Sequence, residues 1–254
     1  MLCFTKSVDG DMYIPPNILR VHQDVESIGP VDWVIVAIKS SFLESIPPLI
    51  EPLVKQDTRV LAIMNGFIDD DLVEMVKHMP HTAIYGGMAF ICSNRVSPGN
   101  VRHTSYGALN GGLASHCSSN AERFQHLNAI EDLWATSKVE YSSVPSLARG
   151  RWEKSCYNLS FSSISVAMGG ISVDKIVADD GLRVMADKIL DEAITIANAD
   201  LLSRGEDKST FLGETEVRLI GCNVILKSCE LVYMSWNAKD NGVLQTYLQK
   251  SFLS

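Results

Sequence analysis

Two continuous apolar runs, VDWVIVAIKS at 31–40 and TRVLAIMNG at 58–66, constrain this chain more than anything else in it. Short β-branched runs of this kind read as strands buried on both faces, the situation of a parallel sheet. Parallel neighbours need a crossover. SFLESIPPLIEPLV supplies one, with Phe42, Leu43, Ile46, Ile50 and Leu53 at roughly helical spacing and Pro47 and Pro48 interrupting a single helix. DDDLVEMVKHM at 69–79 opens with three acids suited to a helix N-terminus and places Leu72, Val73 and Val76 on one face. HTAIYGGMAFICS at 81–93 is a third strand. The β-α-β-α-β order implies a parallel sheet with crossover helices.

The pattern then changes. NRVSPGNVRHTSYGALNGG at 94–112 carries turn residues at the short intervals of strands and hairpins. Residues 120–137 read as an amphipathic helix through Phe124, Leu127, Ile130 and Leu133. From about residue 145 the chain is helical, with a long helix presenting Leu182, Met185, Ile189, Ala193, Ile196 and Ala197 on one side. The fold class is therefore α/β followed by all-α, divided into residues 1–140 and 141–254.

Composition excludes some functions. With 22 basic and 30 acidic residues the net charge is -8, which leaves no basic surplus to neutralise nucleic-acid phosphates. No apolar run reaches the roughly 18 residues of a membrane helix, and MLCFTKSVDGD has too short an apolar part for a signal peptide. Cys3, Cys92, Cys117, Cys156, Cys222 and Cys229 form no CxxC pair and join no His at zinc-finger spacing, so they read as reduced thiols of a cytoplasmic protein.

Ligands of an open parallel sheet bind beyond the carboxyl ends of its strands. Lys39 ends the first strand, and Asn65 and Gly66 end the second. Asn65 can donate and accept, and Gly66 allows a sharp turn or close approach to a ligand. In RGRWEKSCYNLSFSSIS at 149–165, an α-helix would stack Lys154, Asn158 and Ser162 beside an apolar stripe of Tyr157, Phe161, Ile164 and Met168. A Lys is protonated at neutral pH and can give a proton to an oxygen that gains negative charge. His78 and His81, although spaced HxxH, read as a solvated loop, and no metal site is expected; His103 reads as structural.

Taken in order, DWVIVAIKS, VLAIMNG, GGMAFICSNRVSPGNVRHT and RWEKSCYNLSFSSIS resemble the ketopantoate reductase (2-dehydropantoate 2-reductase) family, over residues 8 to 216. The resemblance implies a Rossmann-like NADP-binding domain followed by a helical domain similar to that of 6-phosphogluconate dehydrogenase. It implies reduction of ketopantoate to pantoate with NADPH, on the route to pantothenate and coenzyme A. The family's W-x-K-x-x-x-N pattern matches Trp152, Lys154 and Asn158. By that match Lys154 donates the proton and Asn158 binds the 2-keto acid, while Lys39, Asn65 and Gly66 contact the cofactor. Asn65 also reaches substrate, with Ser162 standing where the family has a second Asn.

Departures accompany the match. The family opens with a strand and G-x-G-x-x-G around the cofactor pyrophosphate, and the only early glycines here are Gly10 and Gly29. The expectation is an N-terminally truncated Rossmann domain. After GETE, VRLIGCNVILKSCELVYMSW does not align to the family's Ser- and Glu-bearing stretch, although Ser228, Glu230 and Ser235 lie in or near it. The alternative is a catalytically impaired homologue acting as a binding or dimerising module, with a second copy of the chain as partner.

Overall fold

In the computed structural model the described residues are 3–7, 10–14, 22, 24–80, 83–98, 100–214 and 217. Ser228, Glu230, Ser235 and His81 lie outside them. The chain divides into two compact units, Met1–Arg151 and Trp152–Ser254.

The first unit is built on a sheet of seven strands among the described residues: β1 Cys3–Ser7, β2 Gly10–Ile14, β3 Trp33–Val36, β4 Arg59–Ile63, β5 Ile84–Ser97, β6 Asn100–Leu113 and β7 Glu140–Ser143. Their order is β2-β1-β6-β5-β4-β3, with β7 also paired to β6. β3, β4 and β5 are mutually parallel, as the apolar runs require. β5 and β6 form a long antiparallel hairpin with register shifts near Phe90, Cys92 and Arg95. β1 and β2 pair with each other antiparallel, and β1 runs parallel to the start of β6.

β4 shows why a continuous apolar run means a central strand. Its alternate side chains feed two cores. Val60 and Ala62 join Val34, Val36, Ile46, Leu72 and Val76 on one face. Leu61 packs with Tyr85, Leu109 and Ile130 on the other. Helices α1, Ile46–Ile50, and α2, Asp69–Val76, contribute to the first core, and α3, Asn120–Trp134, contributes to the second. Full burial of side chains such as Leu72 and Val76 contributes about 1.5–3 kcal/mol each.

β3 corrects the expectation of two buried faces. It pairs only with β4 among the described residues, and Ile35 is 46% exposed. Val34 and Val36 face the helix side, while the opposite face is covered only around Trp33. The first crossover is broken as its prolines demand, into 3₁₀ turns at Ser40–Ser45 and Glu51–Leu53 around the five-residue α1. α3 packs through the expected Leu127, Ile130 and Leu133, but Phe124 in its first turn is 68% exposed.

Helix α4, Leu147–Tyr157, carries the division between the units. The second unit continues with a π-helical turn at Asn158–Ser162, α5 at Ser163–Ala167, α6 at Val173–Ala178 and α7 at Asp180–Ser203. Cys156 packs with Leu190, Ala193, Ile194 and Ala197 of α7, and Phe161 and Ile164 pack with Ile176, Val177 and Ala186. α7 buries Ala186, Leu190, Ala193, Ile194, Ala197 and Leu201. This stripe is rotated from the expected one and leaves Met185 and Ile196 exposed. Three small alanines, Ala186, Ala193 and Ala197, let α7 approach its neighbours, where hydropathy alone favours the larger Met and Ile.

Candidate functional site

In the first unit, Val36 of β3 lies opposite Ala62 of β4, so Lys39 and Asn65 each follow three residues beyond a paired position. Both lie past the carboxyl ends of adjacent parallel strands, and both are exposed. Lys39 is extended, with φ -74° and ψ 142°, and caps the turn at Ser40–Ser45, where its carbonyl accepts from the Phe42 amide at 2.9 Å. Gly66 has φ +94°, a left-handed conformation that any Cβ would strain. The chain can therefore leave β4 and turn into α2 within a few residues.

That turn is held by a residue that motif reading passes over. Arg151, 2% exposed, donates from Nε and Nη2 to the two Asp69 oxygens, both at 2.8 Å. Its Nη1 donates to the carbonyl oxygens of Met64, the residue before Asn65, and of Gly87 at 3.3 Å. One guanidinium thus ties the start of α2, the end of β4 and β5 together. Gly86 makes room for it: a Cβ there would stand 2.4 Å from Asp69 Oδ1 and 2.9 Å from Arg151 Nη2. The one signal available in the sequence is an Arg one helical turn after Leu147 and next to Gly150, on a face otherwise fit for burial.

In the second unit, Trp152 and Cys156 are one turn apart and face inward. Cys156 is buried, and the Trp152 indole Nε1 donates to Asp200 Oδ2 at 2.7 Å. Arg204 donates to the same oxygen at 2.8 Å. Burial works against ionisation of Asp200, but the hydrogen bonds from Trp152 and Arg204 and the Arg204 charge outweigh it and hold the carboxyl below its usual 3.8. Burial pushes the Cys156 thiol up to about 11, so it is inert packing at neutral pH.

Lys154 sits two residues from both Trp152 and Cys156, about 200° round the helix, so it points away from that inward row. It is half-buried, as is Asn158 one turn later, while Ser162 is exposed. The α-helical stacking of Lys154, Asn158 and Ser162 is broken after Asn158, because Asn158–Ser162 is a π turn. A π turn takes in an extra residue, which rotates Ser162 out of the row and carries Met168, 52% exposed, off the apolar stripe. Hydroxyls satisfy the carbonyls of the widened turn: Ser160 Oγ donates to Cys156 O at 2.8 Å, and Ser163 Oγ donates to Leu159 O. Serines bonding back four residues are the trace this turn leaves in the sequence. Tyr157 and Phe161 stay in contact across it, with ring centroids 5.1 Å apart.

His78 is exposed, and His103 Nε2 contacts the carbonyl of Tyr106 within β6. Lys39, Asn65 and Gly66 thus share the edge beyond the carboxyl ends of β3 and β4, where an ammonium, an amide and an open backbone are available to a ligand.

Residues 2–116 match the family described as Ketopantoate reductase PanE/ApbA, and residues 146–220 match the one described as Ketopantoate reductase PanE/ApbA C terminal. A 2-dehydropantoate 2-reductase of Nostoc sp. (strain PCC 7120) is 29% identical over 188 residues, which are 74% of this chain and 57% of that protein. The match thus spans little more than half of the relative's length. The crystal structure of 2-dehydropantoate 2-reductase from Geobacter metallireducens superposes with a TM-score of 0.75 at 24% identity, covering 98% of this chain and 79% of that one. A D-mandelate dehydrogenase, solved with NADH and anilino(oxo)acetate, gives 0.69 at 19% identity over 89% of this chain and 66% of its own. At such identities the structures speak for the fold: a mixed sheet with helices, then an all-helical region. Both matched segments lie in the order the fold requires, and the chain belongs to the ketopantoate reductase PanE/ApbA family.

Proposed function

We propose that this chain reduces a 2-keto acid, with 2-dehydropantoate as the first substrate to test, using NADPH and taking the proton from Lys154. The observation that carries this reading is the half-buried Lys154 of α4 and Asn158 one turn later at the start of the π turn, in a W-x-K-x-x-x-N pattern, within a chain of this family. When bound, the nicotinamide cofactor supplies the hydride. The chain's own work is to hold the groups and deliver a proton. The Lys154 ammonium donates to the ketone oxygen as that oxygen gains negative charge, and the product is the 2-hydroxy acid. Asn158 offers donor and acceptor to the substrate's polar groups. The π turn carries the exposed Ser162 out of this row, which leaves the substrate one contact fewer there, so the chain tolerates 2-keto acids other than ketopantoate.

In the first unit, residues 1–140 act as the cofactor domain in this proposal. Lys39 meets a phosphate, and Asn65 with Gly66 meets the neighbouring ribose and amide groups, Asn65 also reaching substrate. Arg151 is a positioning residue, which fixes the Met64 carbonyl and hence the turn carrying Asn65.

The test is NADPH consumption with ketopantoate, alongside direct NADPH binding. Lys154→Ala lowers turnover by roughly 10²–10⁴-fold while leaving NADPH binding and the melting temperature unchanged. Retained turnover in that variant removes Lys154 from the chemistry. No cofactor binding by the wild-type chain at millimolar NADPH favours the non-catalytic binding module instead.

A further inference from the structure

The first unit gathers a second chemical constellation that the reductase reading does not use. Just after β6, Cys117 stands beside Glu122 and His126 of α3, and one ligand atom from each lies within 4.8 Å of the others. All three are partly exposed. We propose that Cys117, Glu122 and His126 bind one thiophilic divalent cation of the zinc class, with the fourth coordination position open to water.

The donor set is one thiolate, one carboxylate and one imidazole, which suits a tetrahedral d¹⁰ ion. Around zinc such ligand atoms stand about 3.4–3.6 Å apart, given bonds of ~2.0–2.3 Å, so small side-chain rotations close the site. Two of the ligands, Glu122 and His126, are already oriented. Glu122 Oε2 accepts from the Ser118 amide at 2.7 Å and hydroxyl at 2.6 Å, and Oε1 takes part in neither bond. The same bonds keep the Glu122 carboxyl below its ordinary range. Tyr85 Oη lies 3.2 Å from both His126 Nδ1 and the His126 carbonyl. Burial, the largest influence, pushes the Tyr85 hydroxyl up to about 12, so it keeps its proton. That proton goes to the carbonyl oxygen, and the hydroxyl oxygen accepts from Nδ1–H. Nε2 is then the nitrogen with a lone pair, oriented by an outer hydrogen bond as metal-bound imidazoles usually are.

Burial also lowers the His126 pKa, which keeps the ring neutral and ligand-competent. The Cys117 thiol is raised by burial and would give up its proton to the ion. A cleft of about 460 Å³ opens beside the site, with His116, Cys117 and Arg123 in its wall. Two cations face the cluster. Arg123 donates to the Pro145 carbonyl at 2.7 Å, and Arg59 stacks on the Trp33 ring at 5.6 Å. Glu122 and the Cys117 thiolate together balance the +2 charge of the ion. Spacings of five and four residues, with a carboxylate between Cys and His, match no zinc-finger pattern, which is why cysteine and histidine spacing alone does not reveal the site.

The test uses the full 254-residue chain, stripped with a chelator and titrated with Zn²⁺ against a chromophoric competitor. The expected result is one equivalent bound, weakened at least ~10-fold by Cys117→Ser and by His126→Ala, less by Glu122→Gln, and unchanged by His78→Ala. Co²⁺ added to the wild-type chain gives a thiolate-to-cobalt charge-transfer band, a readout that holds even if a variant fails to fold. No stoichiometric Zn²⁺, no thiolate band, or wild-type affinity in Cys117→Ser and His126→Ala overturns the assignment.

Discussion

Arg151 and Trp152 are neighbours on one helix, and each is tied to an acid of its own unit, yet the two ties differ in kind. Arg151 meets Asp69 with two hydrogen bonds, and their side chains are only 3% and 13% exposed. Trp152 gives Asp200 a single neutral N–H, and Asp200 is 29% exposed and shared with Arg204. Removing a partner from the first pair leaves a charge with little access to water. Removing one from the second leaves an acid that water and Arg204 still serve. The first unit therefore depends on its anchor as a fixed point, whereas the second relies more on the apolar packing of Cys156 against α7.

The strongest way to break this contrast is Arg151→Met. It strands the Asp69 carboxylate and removes donors from the Met64 and Gly87 carbonyls. We expect a loss of about 3–5 kcal/mol from the first unit, measured by denaturant unfolding. Adding Asp69→Leu should recover part of it, because the stranded charge is then gone. A loss below about 1 kcal/mol for the single variant would mean that water reaches the pair and that the two anchors are alike.

Gly86→Ala sharpens the same contrast. The new Cβ would collide with Asp69, Leu147 and Arg151, so the pair must shift or α2 must move. About 1–3 kcal/mol should be lost, and distinctly less in the Arg151→Met background, where the colliding guanidinium is absent. Equal costs in the two backgrounds would place the strain on Leu147 rather than on the ion pair.

How far the sequence reveals all this depends on which force shapes each part. β4 is legible because it is buried on both faces, so its apolar run is unbroken. α2 is legible because its acids stand at its start. The broken first crossover follows from Pro47 and Pro48. The exposed face of β3 is less legible, since Ile35 looks as apolar as Val34 and Val36 and only the edge position separates them. β7 is short and polar, EYSS, and exists because β6 offers it a partner. The orientation of α7 is set by close packing at Ala186, Ala193 and Ala197, which hydropathy underrates. Near the candidate site, Lys154 and Asn158 stand out by residue type. The π turn that displaces Ser162 and the Arg151–Asp69 anchor depend on contacts made only in the folded chain.

The smallest effect separates the anchors by pH. Trp152→Phe keeps most of the ring packing and deletes one hydrogen bond to an ionised acid that retains Arg204, so the second unit should lose about 1–2 kcal/mol at neutral pH. The folded-state pKa of Asp200 lies below the ordinary 3.8, so the unfolded chain takes up the proton first as pH falls. The stability linked to its charge is complete well above 3.8 and is lost as pH drops through the lower, folded value. Part of that stability comes from the indole N–H. The gap between wild type and Trp152→Phe should therefore be constant from neutral pH down to about 5 and narrow below 3.8. Unfolding curves at several pH values check this. A gap that persists unchanged into acid would mean that Trp152 contributes by packing alone, like Cys156 one turn further on, and that its bond to Asp200 is no anchor.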